Sequence, residues 1–209
     1  MRPSKQLSQG LHLLGYDPSE QQIKQLLHYL DLLLYLNQSI NLTAIRDLHE
    51  AIDLHILDSL TLRPWLTQIG SESQILDVGS GAGLPGIPIA IMYPNAHVTL
   101  LDARNKKMNA CQHFITSLEL NNVTTVHARI ESWQPIQNKP IDLVVTRALS
   151  HCETILTWLN HLSYHKLLIM KGKRPEDELV NIKRKSEMTR VYIPNRNDER
   201  HILTFSKNL

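Results

Sequence analysis

The sequence predicts an α/β protein: a mainly parallel, doubly wound sheet, closed by an antiparallel hairpin and preceded by a helical cap. Three observations predict it. From Gln74 onward short apolar runs alternate with helical segments, the pattern of strands joined by crossover helices. The run Ile75-Leu76-Asp77-Val78 leads into Gly79-Ser80-Gly81-Ala82-Gly83-Leu84-Pro85-Gly86, where four glycines read as a tight loop between a buried strand and a helix. Two further apolar runs near the end, 191–193 and 201–205, have no helix between them and read as the hairpin. The expected division is a helical cap over 1–72 and a sheet domain over 73–209, meeting near Gly70 to Ser73.

The cap opens with Asp17-Pro18-Ser19-Glu20, read as a capping carboxylate, a proline at the first helical position and a glutamate three residues after the cap. The helix that follows places Ile23, Leu26, Leu27, Leu30, Leu33 and Leu34 on one face, and Leu32, Tyr35 and Leu36 broaden it. Such a stripe is core, packed on two sides. A polar loop over 37–46 leads to a second helix, opened by Asp47-Leu48-His49-Glu50 and closed before Pro64. On it His55 and Asp58 lie three apart and share a face, so they bond each other or face a ligand.

In the sheet domain the glycine loop is followed by a helix over 87–92. His97-Val98-Thr99-Leu100-Leu101-Asp102 is the second strand, and a helix over 104–119 comes next. The third strand runs over 123–127, then a loop carries Arg129, Ile130 and Glu131. The fourth strand, 140–147, runs towards a helix over 152–162. The fifth, 167–170, ends in Lys171-Gly172-Lys173.

At 209 residues the chain can bury a substantial core, and with only 5% aromatics that core must be mostly Leu, Ile and Val. The net charge of +2 hides an asymmetry: from Lys166 onward there are 11 Lys and Arg against 6 Asp and Glu. A basic tail of this kind suits a polyanionic partner or a solvated face. Cys111 and Cys152 form no CxxC pair and no secretory signal is visible, so a reduced, cytoplasmic protein is expected. The longest apolar run, 26–36, is broken by His28 and Asp31 and is shorter than the ~20 residues of a membrane span. His161 and His165 have helical spacing, but no carboxylate or cysteine joins them, and no metal site is expected.

Gly81-x-Gly83-x-x-Gly86 also satisfies a dinucleotide pattern. Asp77, at the end of the strand, argues against it, because an anion beside a pyrophosphate is unfavourable, whereas beside an ammonium and a sulfonium it is favourable. S-adenosylmethionine carries both. Asp102, ending the next strand, then accepts from the ribose hydroxyls; the bland alternative is that both carboxylates only cap helices. Ligands of open parallel sheets sit beyond the carboxyl ends of the strands, which gathers the Gly79 loop, Asp102, Ile130, Glu131, Arg147 and Lys171 around one cleft. Ile130 and Glu131 supply an apolar and a polar wall for an adenine.

After the fourth strand the chain has Thr146-Arg147-Ala148 and not the Asp or Asn, Pro-Pro, aromatic sequence that marks methylation of exocyclic amines. Methylation at pyrimidine C5 needs a cysteine nucleophile, and neither cysteine is suitably placed. Guanine N7 is already nucleophilic, so positioning alone suffices there.

Asn41-Leu42-Thr43, Arg46-Asp47, His55-Ile56-Leu57-Asp58-Ser59, the glycine loop from Asp77 to Gly86, Lys171-Gly172 and Glu199-Arg200-His201 together resemble the glucose-inhibited division protein B family, over nearly the whole chain. The resemblance implies a class I, Rossmann-like methyltransferase that uses S-adenosylmethionine on a guanine N7 of small-subunit ribosomal RNA, free or in the small-subunit particle. It implies cofactor contacts from Asp77, Gly79, Gly81, Leu84, Asp102, Ile130, Glu131 and Arg147. It implies RNA contacts from Arg46, His55, Asp58, Lys106, Lys107, Arg129, Arg147 and Lys171, with no residue acting as a general base. Asn109 and Ala110 depart from the apolar residues usual in that family after the basic pair. The competing readings are a related methyltransferase with another acceptor and a non-catalytic RNA-binding assembly factor.

Overall fold

A computed structural model describes residues 1–135, 140–172, 175–180, 182–196 and 198–207; Lys173, expected at the end of the fifth strand, lies outside these. The strands are β1 (Gln74–Val78), β2 (His97–Asp102), β3 (Val123–His127), β4 (Ile141–Arg147), β5 (Tyr164–Lys171), β6 (Ser186–Tyr192) and β7 (Glu199–Ser206). They form one sheet in the order β3-β2-β1-β4-β5-β7-β6. The first five are parallel, and β7 runs antiparallel between β5 and β6. The strand order turns between β1 and β4, where Asp77 lies opposite Leu100 on one side and Val145 on the other. That turning point opens a crevice at the carboxyl ends of both strands, and the site sits there.

The helices are α1 (Pro3–Leu13), α2 (Glu20–Ile40), α3 (Leu48–Ala51), α4 (Asp58–Leu60), α5 (Arg63–Leu66), α6 (Gly86–Met92), α7 (Asn105–Ser117) and α8 (Cys152–Trp158); a π-helical turn, Ile52–Leu57, joins α3 to α4. The larger apolar cluster runs from Leu7 and Leu11 of α1 through Leu26, Leu30 and Leu33 of α2 into Ile87 and Phe114 on one face of the sheet. Leu26, Leu30 and Leu33 of the predicted stripe are core, each contributing about 1.5–3 kcal/mol by removal from water, whereas Tyr35, expected to broaden it, is 69% exposed. A smaller cluster on the opposite face packs Ile155 and Leu159 against Val144, Leu167 and Phe205. One continuous core thus crosses the 70–73 boundary.

The local structure of the cap differs from expectation at its first helices. The cap of α2 is Ser19, not Asp17: its side chain accepts from the Gln22 N–H while the Gln22 side chain accepts from the Ser19 N–H. The second helix closes before Pro64 as expected, with α4 ending at Leu60, and Pro64 itself lies in the first turn of the short α5, where its missing N–H has no partner to lose. Helix α1 was not anticipated, because its sequence is polar and contains Gly10. A Cβ at Gly10 would lie 2.3 Å from Leu57 Cδ1, so glycine there lets α1 press against the π-helical turn.

Candidate active site

The loop after β1 is held by its neighbours on every side. The N–H groups of Gly79 and Ser80 donate to the Leu101 carbonyl, Tyr29 of α2 donates its hydroxyl to Ala82 O at 2.9 Å, and Cys111 Sγ of α7 reaches Gly81 O. Gly79 sits at φ +70°, where an L side chain is strained, and a Cβ there would meet Leu149 Cδ1 at 2.4 Å. The loop therefore approaches the far wall of the crevice as bare backbone.

Asp102 ends β2 and fixes both flanks. Its Oδ2 accepts from Gly81 N–H at 3.0 Å and its Oδ1 from Arg104 N–H at 2.8 Å, tying the glycine loop to the start of α7. Each oxygen keeps further acceptor capacity. Between these elements lies a cavity of about 460 Å³ lined by Gly79, Asp102, Arg104, Lys107, Arg129, Ile130, Glu131, Leu149 and Trp158, among others. Ile130 is buried and Glu131 exposed, so an apolar wall and a polar rim stand side by side.

Asp77 is placed differently from the expectation that it faces a bound cation. The alternation of β1 turns it under α6, fully buried, where Oδ2 accepts from Gly86 N–H at 2.8 Å at the helix start. Burial pushes its carboxyl up to about 7, against the opposing pull of the Gly86 N–H and of Arg147. Oδ1 has no partner among the described residues, nor have the buried hydroxyls of Ser80, in the loop after β1, and Thr146, near the end of β4. Leu84, expected at the cofactor, is core. Gly81 stands beside Lys107, whose Nζ would be 3.4 Å from a Cβ placed there.

His55 and Asp58 do not bond each other. The π-helical turn shifts their phase: His55 Nε2 meets Thr43 Oγ1 at 2.9 Å, whereas Asp58 lies between two guanidiniums, Arg147 Nη1 and Arg200 Nε, each at 3.2 Å. Arg147 also donates to Leu54 O, so the end of β4, the start of β7 and the cap share one charge cluster. Arg200 is the partner that spacing could not reveal, since it lies 142 residues from Asp58. Burial, reinforced by Arg147, lowers His55 to about 4, so it is neutral in the fold. The unfolded chain then binds the extra proton first, and stability falls as pH drops from about 6.5 to 4. A His55→Gln variant is expected to show a shallower loss over that window, read as the pH dependence of the difference between the two unfolding midpoints.

Lys171, expected to meet RNA, is held in place. Its Nζ donates to both oxygens of Glu178, at 2.9 and 2.7 Å, and to Ser150 O. Glu178 also accepts from the Cys152 N–H, and these bonds together lower its carboxyl although burial alone would raise it. Arg46 and Lys106 are exposed, Lys106 on the first turn of α7. Arg129 and Lys107 line the cavity, as does Arg104, which the sequence reading passed over although it directly precedes the basic pair's helix. Among the described residues no three potential metal ligands come together, and no helix is long and apolar enough to cross a membrane.

The family model described as rRNA small subunit methyltransferase G matches residues 22–203. Ribosomal RNA small subunit methyltransferase G of Pseudomonas putida strain KT2440 is 39% identical over 206 residues, covering 96% of this chain and 93% of the relative. Its counterpart in Ectopseudomonas mendocina strain ymp is 38% identical over 213 residues, covering 100% and 98%. Among solved structures, a SAM dependent methyltransferase from Aquifex aeolicus matches with a TM-score of 0.55 at 18% identity, covering 76% of this chain and 93% of that one. TrmK of M. capricolum, solved with S-adenosyl-homocysteine, matches with a TM-score of 0.54 at 17% identity, covering 70% and 67%. These two likenesses are of fold. The sheet order, the glycine loop at its turning point and relatives alike over nearly the full length agree: the chain belongs to the rRNA small subunit methyltransferase G family.

Proposed function

We propose that this protein transfers a methyl group from S-adenosylmethionine to N7 of a guanine in small-subunit ribosomal RNA. The observation that carries the reading is the crevice itself: it joins a bare glycine loop, a ribose-type carboxylate and an apolar shelf to a rim of three basic side chains. The residues fit the cofactor. A Cβ at Gly79 would close the cradle, Asp102 keeps acceptor capacity beside it, and Ile130 offers an apolar surface for a base. Bound there, S-adenosylmethionine supplies a methyl group on a positively charged sulfur.

The chain's own groups supply position. The loop amides and Asp102 hold one partner, while Arg104, Lys107 and Arg129 offer cations to RNA phosphates, which orient without reading sequence. Effective molarities reached by such alignment account for about 7–11 kcal/mol of a barrier. Covalent activation of a ring carbon is not supported. Cys111 is buried and its thiol pushed well up by burial and by Asp77 and Asp102, and burial chiefly pushes Cys152 up to about 12, so neither is a thiolate at neutral pH. An N7 lone pair needs neither a thiolate nor a base. The test is an acceptor transcript in which 7-deazaguanine replaces guanine. Methyl transfer to the ordinary transcript and none to the substituted one is expected; equal transfer to both would exclude N7.

A further inference from the structure

A second basic site lies away from the methyl-transfer crevice, at the opposite end of the sheet. A groove of about 800 Å³ runs along the start of β5 and the outer end of the hairpin, lined by Lys166, Arg184, Lys185, Lys207 and Thr204 among others. Lys166 lies near the start of β5 and Lys171 ends it, so about 17 Å of strand separates the two.

Glu187 also lines the groove, against four cations, and three of those cations are held in place by neutral partners. Arg184 donates from Nε and Nη2 to Ser206 O and from Nη1 to the Tyr164 hydroxyl. Lys207 donates to the carbonyls of Asn160 and Leu162, and both cations lie over the Tyr164 ring, at 5.5 and 5.2 Å. Lys166 donates to the Gln68 amide oxygen. Every partner is neutral, and among the described residues no carboxylate pairs with any of these cations. Burial, and then Arg184, lower the Lys207 ammonium, as expected for like charges held together. Thr204 of β7 also lines the groove; it is 8% exposed, and its buried Oγ1 has no hydrogen-bond partner among the described residues. Positive charge fixed along a groove, with no carboxylate paired to it, fits a tetrahedral oxyanion.

We propose that this groove is a second RNA contact that takes a backbone phosphate of the same ribosomal RNA, an inference that rests on the function proposed above. The crevice holds the reacting guanine and the groove holds the strand farther along, so the RNA crosses the hairpin end of the sheet. Two-point contact lengthens the footprint without adding base readout.

The test uses the full chain, small-subunit ribosomal RNA and a variant carrying Lys166→Gln, Lys185→Gln and Lys207→Gln. RNA affinity is expected to fall about 10-fold or more at moderate salt. The slope of log affinity against log salt should fall by about 0.7–0.9, the contribution of one lost phosphate contact. S-adenosylmethionine affinity should stay unchanged, since none of the three lines the crevice. Lys185→Glu, at an exposed position, repeats the measurement without disturbing the Tyr164 stack. An unchanged salt slope in both variants, with wild-type methyl transfer intact, would overturn the groove and leave the crevice standing. Weaker binding to assembled subunits alone, with naked RNA bound normally, would place an acidic protein there and overturn it too. If the wild-type chain neither binds nor methylates the RNA, the proposed function falls first and the groove with it.

Discussion

Gly79→Asp is expected to abolish methyl transfer, with cofactor affinity reduced about 100-fold or more and the unfolding midpoint only slightly lowered. Three effects act at one atom. The backbone at φ +70° costs a non-glycine residue about 1–2 kcal/mol, the new Cβ drives into Leu149 at 2.4 Å, and a carboxylate enters the crevice next to Asp102. Leu149 is the end of a flexible side chain on the crevice wall, so the fold accommodates the insertion by letting Leu149 move. The bound ligand does not. Gly79→Ala separates the terms, keeping the strain and the clash while omitting the charge, and should lie between wild type and Gly79→Asp. Cofactor binding by calorimetry checks this, and near-normal affinity in Gly79→Asp would move the site elsewhere.

The largest effect on stability is expected at Asp58. Its carboxylate is 6% exposed and stands between Arg147 and Arg200, which are 19% and 24% exposed. Removing one partner of a buried ion pair costs about 3–5 kcal/mol, because the remaining charge is left without compensation. The two arginines retain some solvent, so Asp58→Ala should cost about 3 kcal/mol, lowering the midpoint by roughly 6–12 °C for a chain of this size. Adding Arg200→Met to Asp58→Ala should cost less than the two single changes together, since one stranded charge is removed with its partner. Additivity would show that the cluster does not couple the cap to the sheet.

Much of the fold was legible because its signals are local. The second and third strands match their expected spans, since each is a compact run bounded by turn residues. The fifth begins three residues earlier than expected, at Tyr164, because Tyr164-His165-Lys166 looks polar although Tyr164 is buried under Arg184 and Lys207. The strand β6 likewise starts at Ser186, since an exposed edge strand has little apolar alternation to read. The π-helical turn has no sequence mark at all, and inserting one residue per turn is what separates His55 from Asp58.

The candidate site was legible in its chemistry more than in its contacts. Gly79, Asp102, Ile130, Glu131, Lys107 and Arg129 do converge on one crevice, because strand ends and their loops must meet at the turning point of the sheet. Asp77, expected at the cofactor from its charge at the strand end, and Leu84, expected there by resemblance, are both buried. Lys171, expected at RNA by resemblance, is held by Glu178 seven residues on, whereas Asp58 is held by Arg147 and Arg200 from distant strands. Such pairings depend on tertiary contacts that no spacing rule encodes.

The most direct test of the central claim is methyl transfer from labelled S-adenosylmethionine to small-subunit ribosomal RNA from cells lacking the modification, followed by reduction and aniline cleavage, which breaks the strand at N7-methylguanine. One new cleavage site, absent with Gly79→Asp, is the predicted result. Stoichiometric label in the RNA with no cleavage would show that the methyl group goes to another atom and would contradict the account.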